Sequence, residues 1–195
     1  EQVNMKKGNW LVLARTKFML SDLEDTLYSQ GLYYQNKFKT NREQDLYTAV
    51  NDWENLRKGV DINYDQISRI SSYMSEKHFE KNCLKYMDKD ARHTMQSLRE
   101  RMWLKTNDVW YNAFDNAPQK KVRYIRRMRE NGEKLNSTPR ITLSTIHGVK
   151  GGEQDNVVLL TDLSRNTQRN YEQNPDDENR LFYVGATRTK NHLHV

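Results

Sequence analysis

Two short segments hold most of the residues able to do chemistry. The first is Thr145-Ile146-His147-Gly148-Val149-Lys150-Gly151-Gly152-Glu153, where a hydroxyl, an imidazole, an ammonium and a carboxylate are interleaved with glycines. Glycine lets the backbone approach a phosphate or base closely. Lys150 offsets phosphate charge, His147 donates a hydrogen bond, and Glu153 accepts one from a ribose hydroxyl. The segment lies between two apolar runs, Ile141-Thr142-Leu143-Ser144 and Val157-Val158-Leu159-Leu160. Loops at the carboxyl ends of parallel strands are where α/β folds hold ligands. A flexible glycine-rich connection has the same composition. Nothing matches the phosphate-binding G-x-x-x-x-G-K-[ST] pattern, because glycine follows Lys150.

The second segment is Asp176-Asp177-Glu178-Asn179-Arg180-Leu181-Phe182-Tyr183-Val184-Gly185-Ala186-Thr187-Arg188-Thr189-Lys190. Acidic residues at a helix start are favoured by the helix dipole, which alone accounts for Asp177 and Glu178. A metal-coordinating Walker B acid ends an apolar strand, and the polar residues around Asn174-Pro175 make none. Arg180, Arg188 and Lys190 bracket an apolar helical stripe of Leu181, Phe182 and Val184, which also describes a core-facing helix with basic flanks.

The elements that must position these groups follow from the hydrophobic pattern. Trp10-Leu11-Val12-Leu13-Ala14 predicts a strand covered on both faces. A helix follows, with Ser21 and Asp22 as caps, Leu23 and Leu27 on its apolar side and Gly31 as its stop, before Leu32-Tyr33-Tyr34 becomes extended. From about Thr40 to Leu135 the pattern is charged helical periodicity, with Trp53, Trp103, Trp110 and Phe114 at helix-like intervals. Within it, Lys120, Lys121, Arg123, Arg126, Arg127, Arg129 and Lys134 crowd one helix whose apolar side is Val122, Ile125 and Met128. That helix is either a DNA-facing surface or a solvated face. Beyond Pro139 strands return, a polar segment runs from Ser164 to Asp177, a last helix spans Asn179 to about Thr189, and His192-Leu193-His194-Val195 closes the chain. One α/β sheet domain interrupted by an all-helical insertion is the expected architecture.

The chain has 195 residues and a formal net charge of +6, which favours a polyanionic partner, a solvated basic surface being the bland alternative. Cys83 is its single cysteine, which excludes an intrachain disulfide and a Cys-rich zinc site and fits a reducing, cytoplasmic setting. No metal site is expected. No apolar run approaches the roughly 20 residues of a membrane helix, so no membrane partner is expected either.

Together the two segments resemble motifs V and VI of UvrD/Rep-type superfamily 1 DNA helicases, whose pattern runs T-x-H-x-x-K-G-x-E, an apolar strand, an acidic pair, R-L-x-Y-V and T-R. Leu13-Ala14-Arg15-Thr16-Lys17, then a helix and Gly31-Leu32-Tyr33-Tyr34, resembles motif IVa at the start of the family's second RecA-like domain. The family's helical 2B insertion falls between these regions, where the composition changes here. Three positions depart from the pattern: Gly152 replaces a leucine, Gln154 an aromatic or apolar residue, and Thr189 an alanine.

The resemblance implies a RecA-like (P-loop NTPase-type) parallel sheet domain from residues 1–40 and 138–195, with a 2B-like helical insertion at 41–137. It implies the C-terminal portion of an ATP-dependent DNA helicase of DNA repair or replication. Arg188 would be the catalytic arginine at the γ-phosphate, with Glu153 and Gly151 beside the nucleotide. Arg15, Thr16, Lys17, Thr145, His147 and Lys150 would lie on the DNA track. ATP and Mg2+ would be held mainly by a first RecA-like domain, whose phosphate-binding loop and Asp-Glu strand this sequence lacks, and single-stranded or partly duplex DNA would be the other partner. The chain alone is then expected not to hydrolyse ATP. A non-motor basic nucleic-acid-binding module and an inactive helicase-like scaffold are the alternatives.

Overall fold

Five parallel strands, β1 (Trp10–Ala14), β2 (Tyr34–Asn36), β3 (Ile141–Thr145), β4 (Gln154–Leu159) and β5 (Thr189–His194), form one sheet in the order β2-β3-β1-β4-β5. The structure, a computed structural model, describes residues 3–39, 44–135, 137–149 and 151–195, so Lys150 lies outside the described residues. In register, Trp10 pairs with Ile141 on one side and Asn156 on the other, so the central strand comes from one end of the chain and its neighbours from the other. β1 is buried along its whole length, as a continuous apolar strand covered on both faces must be.

Alternation along the strands sorts the core into two layers. Val12, Ala14, Ile141 and Leu143 face one side, where Leu20, Leu27 and Leu32 cover them. Leu11, Leu13, Val157 and Leu159 face the other, under Ile146, Val149, Leu181, Phe182 and Ala186.

The eight α-helices of the described residues are α1 (Ser21–Gln30), α2 (Gln44–Arg57), α3 (Tyr64–Ser72), α4 (Met95–Glu100), α5 (Trp110–Ala113), α6 (Gln119–Glu130), α7 (Arg165–Gln173) and α8 (Pro175–Ala186). Several ends differ from expectation. Ser21 is the first residue of α1 rather than its cap, because a 3-10 turn over Lys17–Leu20, entered from extended Thr16, runs straight into the helix. The C-terminal stop at Gly31 is as expected, in the left-handed region at φ 69°. The polar segment after Ser164 is helix α7, whose amphipathic turns carry almost no apolar residue; the Ser164 hydroxyl caps it by accepting from Thr167 N–H at 3.2 Å.

Helix α8 begins at Pro175, four residues before the expected Asn179, and ends at Ala186. A proline at the first helical position has its φ preset for the helix, and Asp176, Asp177 and Glu178 sit in the first turn, where the dipole favours acids. Leu181, Phe182 and Ala186 pack on the sheet, whereas Val184 is exposed and does not belong to the stripe. Glu178, Leu181 and Gly185 are spaced three and four apart, which puts the Glu178 carboxylate on the buried side.

By backbone contacts the chain divides into residues 1–41 with 127–195, which hold the sheet, and residues 42–126. The second unit is helical only in part. Residues 73–94 and 101–109 are mostly irregular, tied by antiparallel bridges between Ile62 and His93 and between Phe79 and Leu104. Capping boxes at Asn63 and Thr94 restart helices that the charged periodicity presents as continuous. Its core includes Trp53, Phe79 and Phe114, each fully buried, and the Trp53 indole N–H donates to the Asp108 carbonyl at 3.1 Å. Val122, Ile125 and Met128 are buried along α6, as its apolar spacing requires. Among the described residues no helix is long and apolar enough to cross a membrane.

Candidate functional site

The glycine-rich segment does not sit at one end of the sheet. It starts at the carboxyl end of β3, passes through a 3-10 turn at His147–Val149, and finishes at the amino end of β4. Crossing the sheet in so few residues leaves no room for a full helix, and Ile146 and Val149 anchor it by burying their side chains. The sequence-predicted residues are thereby split between opposite strand edges. Arg15, Thr16, Lys17, Thr145 and His147 lie at the carboxyl edge, and Gly151, Glu153 and Arg188 at the amino edge. Glu153 is three residues before Asn156 and Arg15 five beyond its partner Trp10, a separation of about 25 Å along the strands.

At the amino edge, Gln154 N–H donates to the Arg188 carbonyl at 3.0 Å, which sets Glu153 and Arg188 on neighbouring chain segments. The Arg188 guanidinium donates through Nε to the Val184 carbonyl at 3.0 Å and lies 3.4 Å from the Thr187 hydroxyl through Nη2. Among the described residues no carboxylate pairs with it; its Nε bonds the last turn of α8, whose dipole favours a cation there, and Nη1 has no partner among those residues. Glu153 and Gly151 are exposed, Gly151 at φ 79° with open space where a Cβ would project. Where the family pattern has leucine, a Cβ on Gly152 would come 3.0 Å from a Val149 methyl, so the tight crossover favours glycine.

At the carboxyl edge, Thr145 Oγ1 accepts from Gly148 N–H at 3.1 Å. A Cβ on Gly148 would lie 2.9 Å from Ser144 Oγ and 3.2 Å from Thr145 Oγ1, so a larger residue there would make both hydroxyls turn aside. His147 and Lys17 are exposed. The hydroxyls of Thr16 and Ser144 are buried without a hydrogen-bond partner. Both are covered by the chain, so the groups this edge offers to an anion such as a phosphate backbone are the exposed Lys17 and His147. Ser144 escaped the sequence reading because it looked like an ordinary strand residue.

Glu178 also escaped it. Arg15 donates to both its carboxylate oxygens, Nε at 2.7 Å and Nη2 at 2.8 Å, a bidentate pair in which Glu178 is buried and Arg15 partly so. Those hydrogen bonds hold the Glu178 carboxyl below its ordinary range; burial opposes them, and the charges of Arg15 and His147 add to them. The same hydrogen bond pushes Arg15 further up. The pair lines a polar cleft of about 380 Å³ with Asn170, Gln173, Asn174 and Asp177. The signal in the sequence was the helical spacing of Glu178 with Leu181 and Gly185, since an acid on a buried face needs a basic partner. Among the described residues there is no cluster of histidine, cysteine and acidic side chains able to hold a metal ion.

A parallel sheet covered on both faces, with its polar groups collected at the strand ends, is an α/β domain of the RecA-like type. Compared with known protein families, residues 17–195 match the UvrD-like helicase C-terminal domain, and the chain belongs to that family. No curated protein matches the chain.

Proposed function

We propose that the chain is the second RecA-like half, with its inserted helical unit, of an ATP-dependent DNA helicase that moves along single-stranded DNA and unwinds duplexes. Residues 1–41 with 127–195 form the RecA-like body and 42–126 the insertion, which is smaller at its C-terminal end than the expected 41–137 because the last turn of α6 goes with the sheet unit. The observation that carries this is Arg188. In a member of the UvrD-like helicase family, the Arg188 guanidinium, with no carboxylate paired to it among the described residues, lies at the same strand edge as Glu153, while the exposed Lys17 and His147 occupy the other.

ATP with Mg2+ is the substrate, held mainly by a first RecA-like domain, and Arg188 reaches the γ-phosphate from this half when the cleft closes. A planar guanidinium there stabilises charge that develops on the transferring phosphoryl group, so it acts more on rate than on affinity. Glu153 accepts from the nucleotide sugar, with the Gly151 backbone close by. Thr16, Lys17, Thr145 and His147 form the DNA-binding edge, and Lys150, outside the described residues, is assigned to the same role by its place in the motif. Arg15 joins them through Nη1, the one guanidinium nitrogen that Glu178 does not use. A cytoplasmic setting, in which Cys83 stays reduced, belongs to the same proposal.

The test is steady-state ATPase of the full-length protein carrying Arg188→Ala. Turnover is expected to fall by on the order of 10³ or more, with a much smaller change in KM for ATP, and unwinding to fall with it. Arg188→Lys restores little, because lysine lacks the planar fork. Near-normal turnover in a folded Arg188→Ala protein overturns the proposal.

A further inference from the structure

The two strand edges are joined by one rigid element. Helix α8 starts at the carboxyl edge, where Glu178 in its first turn grips Arg15. It ends at the amino edge, where Arg188 follows its last turn and bonds to β4. Glu178 and Arg188 are ten residues apart, about 15 Å along a helix. Between them the helix is seated on the sheet through Leu181 and Phe182, and its last turn lies so close that a Cβ added at Gly185 would come 2.9 Å from a Leu159 methyl. Such close seating leaves little freedom to bend in the middle, so a displacement of one end is carried to the other.

The contact at the Glu178 end is specific. Arg15 is held through Nε and Nη2, which fixes the plane of the guanidinium and the direction of Nη1. Glu178 therefore grips the residue that follows β1, while belonging to the helix that leads to Arg188.

We propose that Glu178 is a positioning residue that couples the DNA-facing edge to Arg188: through its grip on Arg15 it registers the position of helix α8 against the carboxyl edge of the sheet. This rests on the helicase reading above. DNA seated on Arg15 sets that end of α8, and α8 sets Arg188. Removing the Glu178 charge frees the first turn of α8 from Arg15 while Leu181 and Phe182 keep the helix on the sheet, so nucleotide turnover no longer responds fully to DNA.

The experiment uses the full-length protein, with ATPase measured in the same samples with and without oligothymidylate over a range of DNA concentrations. The variant is Glu178→Gln, which keeps the shape of the side chain and one hydrogen-bond acceptor. The ratio of DNA-stimulated to unstimulated turnover is expected to fall by on the order of 5- to 100-fold, the usual span of coupling between two sites. The oligothymidylate concentration for half-maximal stimulation is expected to rise. A merely structural Glu178 lowers the melting temperature and leaves both quantities unchanged below it, and that result overturns the inference.

Should Glu178→Gln not fold, the double variant Arg15→Met with Glu178→Met replaces it, since apolar residues of similar volume are often neutral replacements for a buried ion pair. Full stimulation in that double variant also overturns the inference. A wild-type protein that hydrolyses ATP with no response to DNA removes the helicase reading itself, and the coupling with it. A stimulated wild type with an equally stimulated Glu178→Gln removes the coupling alone.

Discussion

Replacing Gly31 by alanine is expected to unsettle the sheet unit far more than the same change at other left-handed glycines. Gly31 ends α1 at φ 69°, a conformation that costs an alanine about 1–2 kcal/mol. A Cβ there would lie 2.5 Å from Arg127 Cβ and 2.6 Å from both the Arg127 carbonyl carbon and Met128 N. Two of these atoms are backbone in or next to the last turn of α6, so no side chain can rotate away and the segments must separate. Overpacking of this kind costs about 1–3 kcal/mol. The sum, about 2–5 kcal/mol, is a large part of a typical stability of roughly 5–15 kcal/mol. The bonds at risk include Asn131 Nδ2 to the Gln30 carbonyl at 2.7 Å and Leu32 N–H to the Leu27 carbonyl at 3.0 Å. Gly59 at φ 88° and Gly132 at φ 74° have nothing within 4 Å of an added Cβ. Alanine at either position meets only the backbone cost, about 1–2 kcal/mol. Urea unfolding of the three variants, with amide exchange followed in α1 and β1, separates packing from conformation. A Gly31→Ala protein no less stable than Gly59→Ala and Gly132→Ala refutes the close approach.

A second expectation concerns pH. Arg15 holds the Glu178 carboxyl below its ordinary value of 4.5, so the pair's contribution is fully present above that value and is lost as pH falls through the lower folded value. Urea titrations between neutral and acid pH are expected to show a fall in stability that Glu178→Gln flattens; an identical pH profile in the variant contradicts it. Because the cleft admits water and Arg15 is partly exposed, removing the charge is expected to cost about 1–3 kcal/mol at neutral pH, short of a fully buried pair. Phe114→Ala, at a fully buried ring 6.2 Å from Trp53, is expected to cost the 42–126 unit about 3–5 kcal/mol in urea unfolding, and a loss under 1 kcal/mol argues against that core. The purified 195-residue chain is expected to show no ATP turnover and weak, salt-sensitive binding to oligothymidylate, and sustained turnover without contaminants contradicts the two-domain division of labour.

Local chemistry was readable from the sequence wherever one residue type answers one physical demand. The apolar run at Trp10–Ala14 forms the central strand because a short, continuous apolar run suits a strand covered on both faces. Gly31 stops α1 because the left-handed region excludes most side chains. The order and spacing of the Thr145–Glu153 and Asp176–Lys190 segments were enough to point to the family that residues 17–195 match. Helix ends were less legible. Pro175 starts a helix that a hydrophobic pattern sees only from its first apolar turn, and a helix as polar as α7 leaves almost no apolar periodicity to detect. What the linear chain did not contain was which groups share a place. Glu153 and His147 are six residues apart yet serve opposite strand edges, because a parallel crossover must return to the start of the next strand. Arg15 and Glu178 are 163 residues apart and form one ion pair. Local forces act over a few residues and mark the ends of elements, whereas partners such as these are chosen by strand order and by the helical face that packs, and both are settled only when the sheet closes around its core.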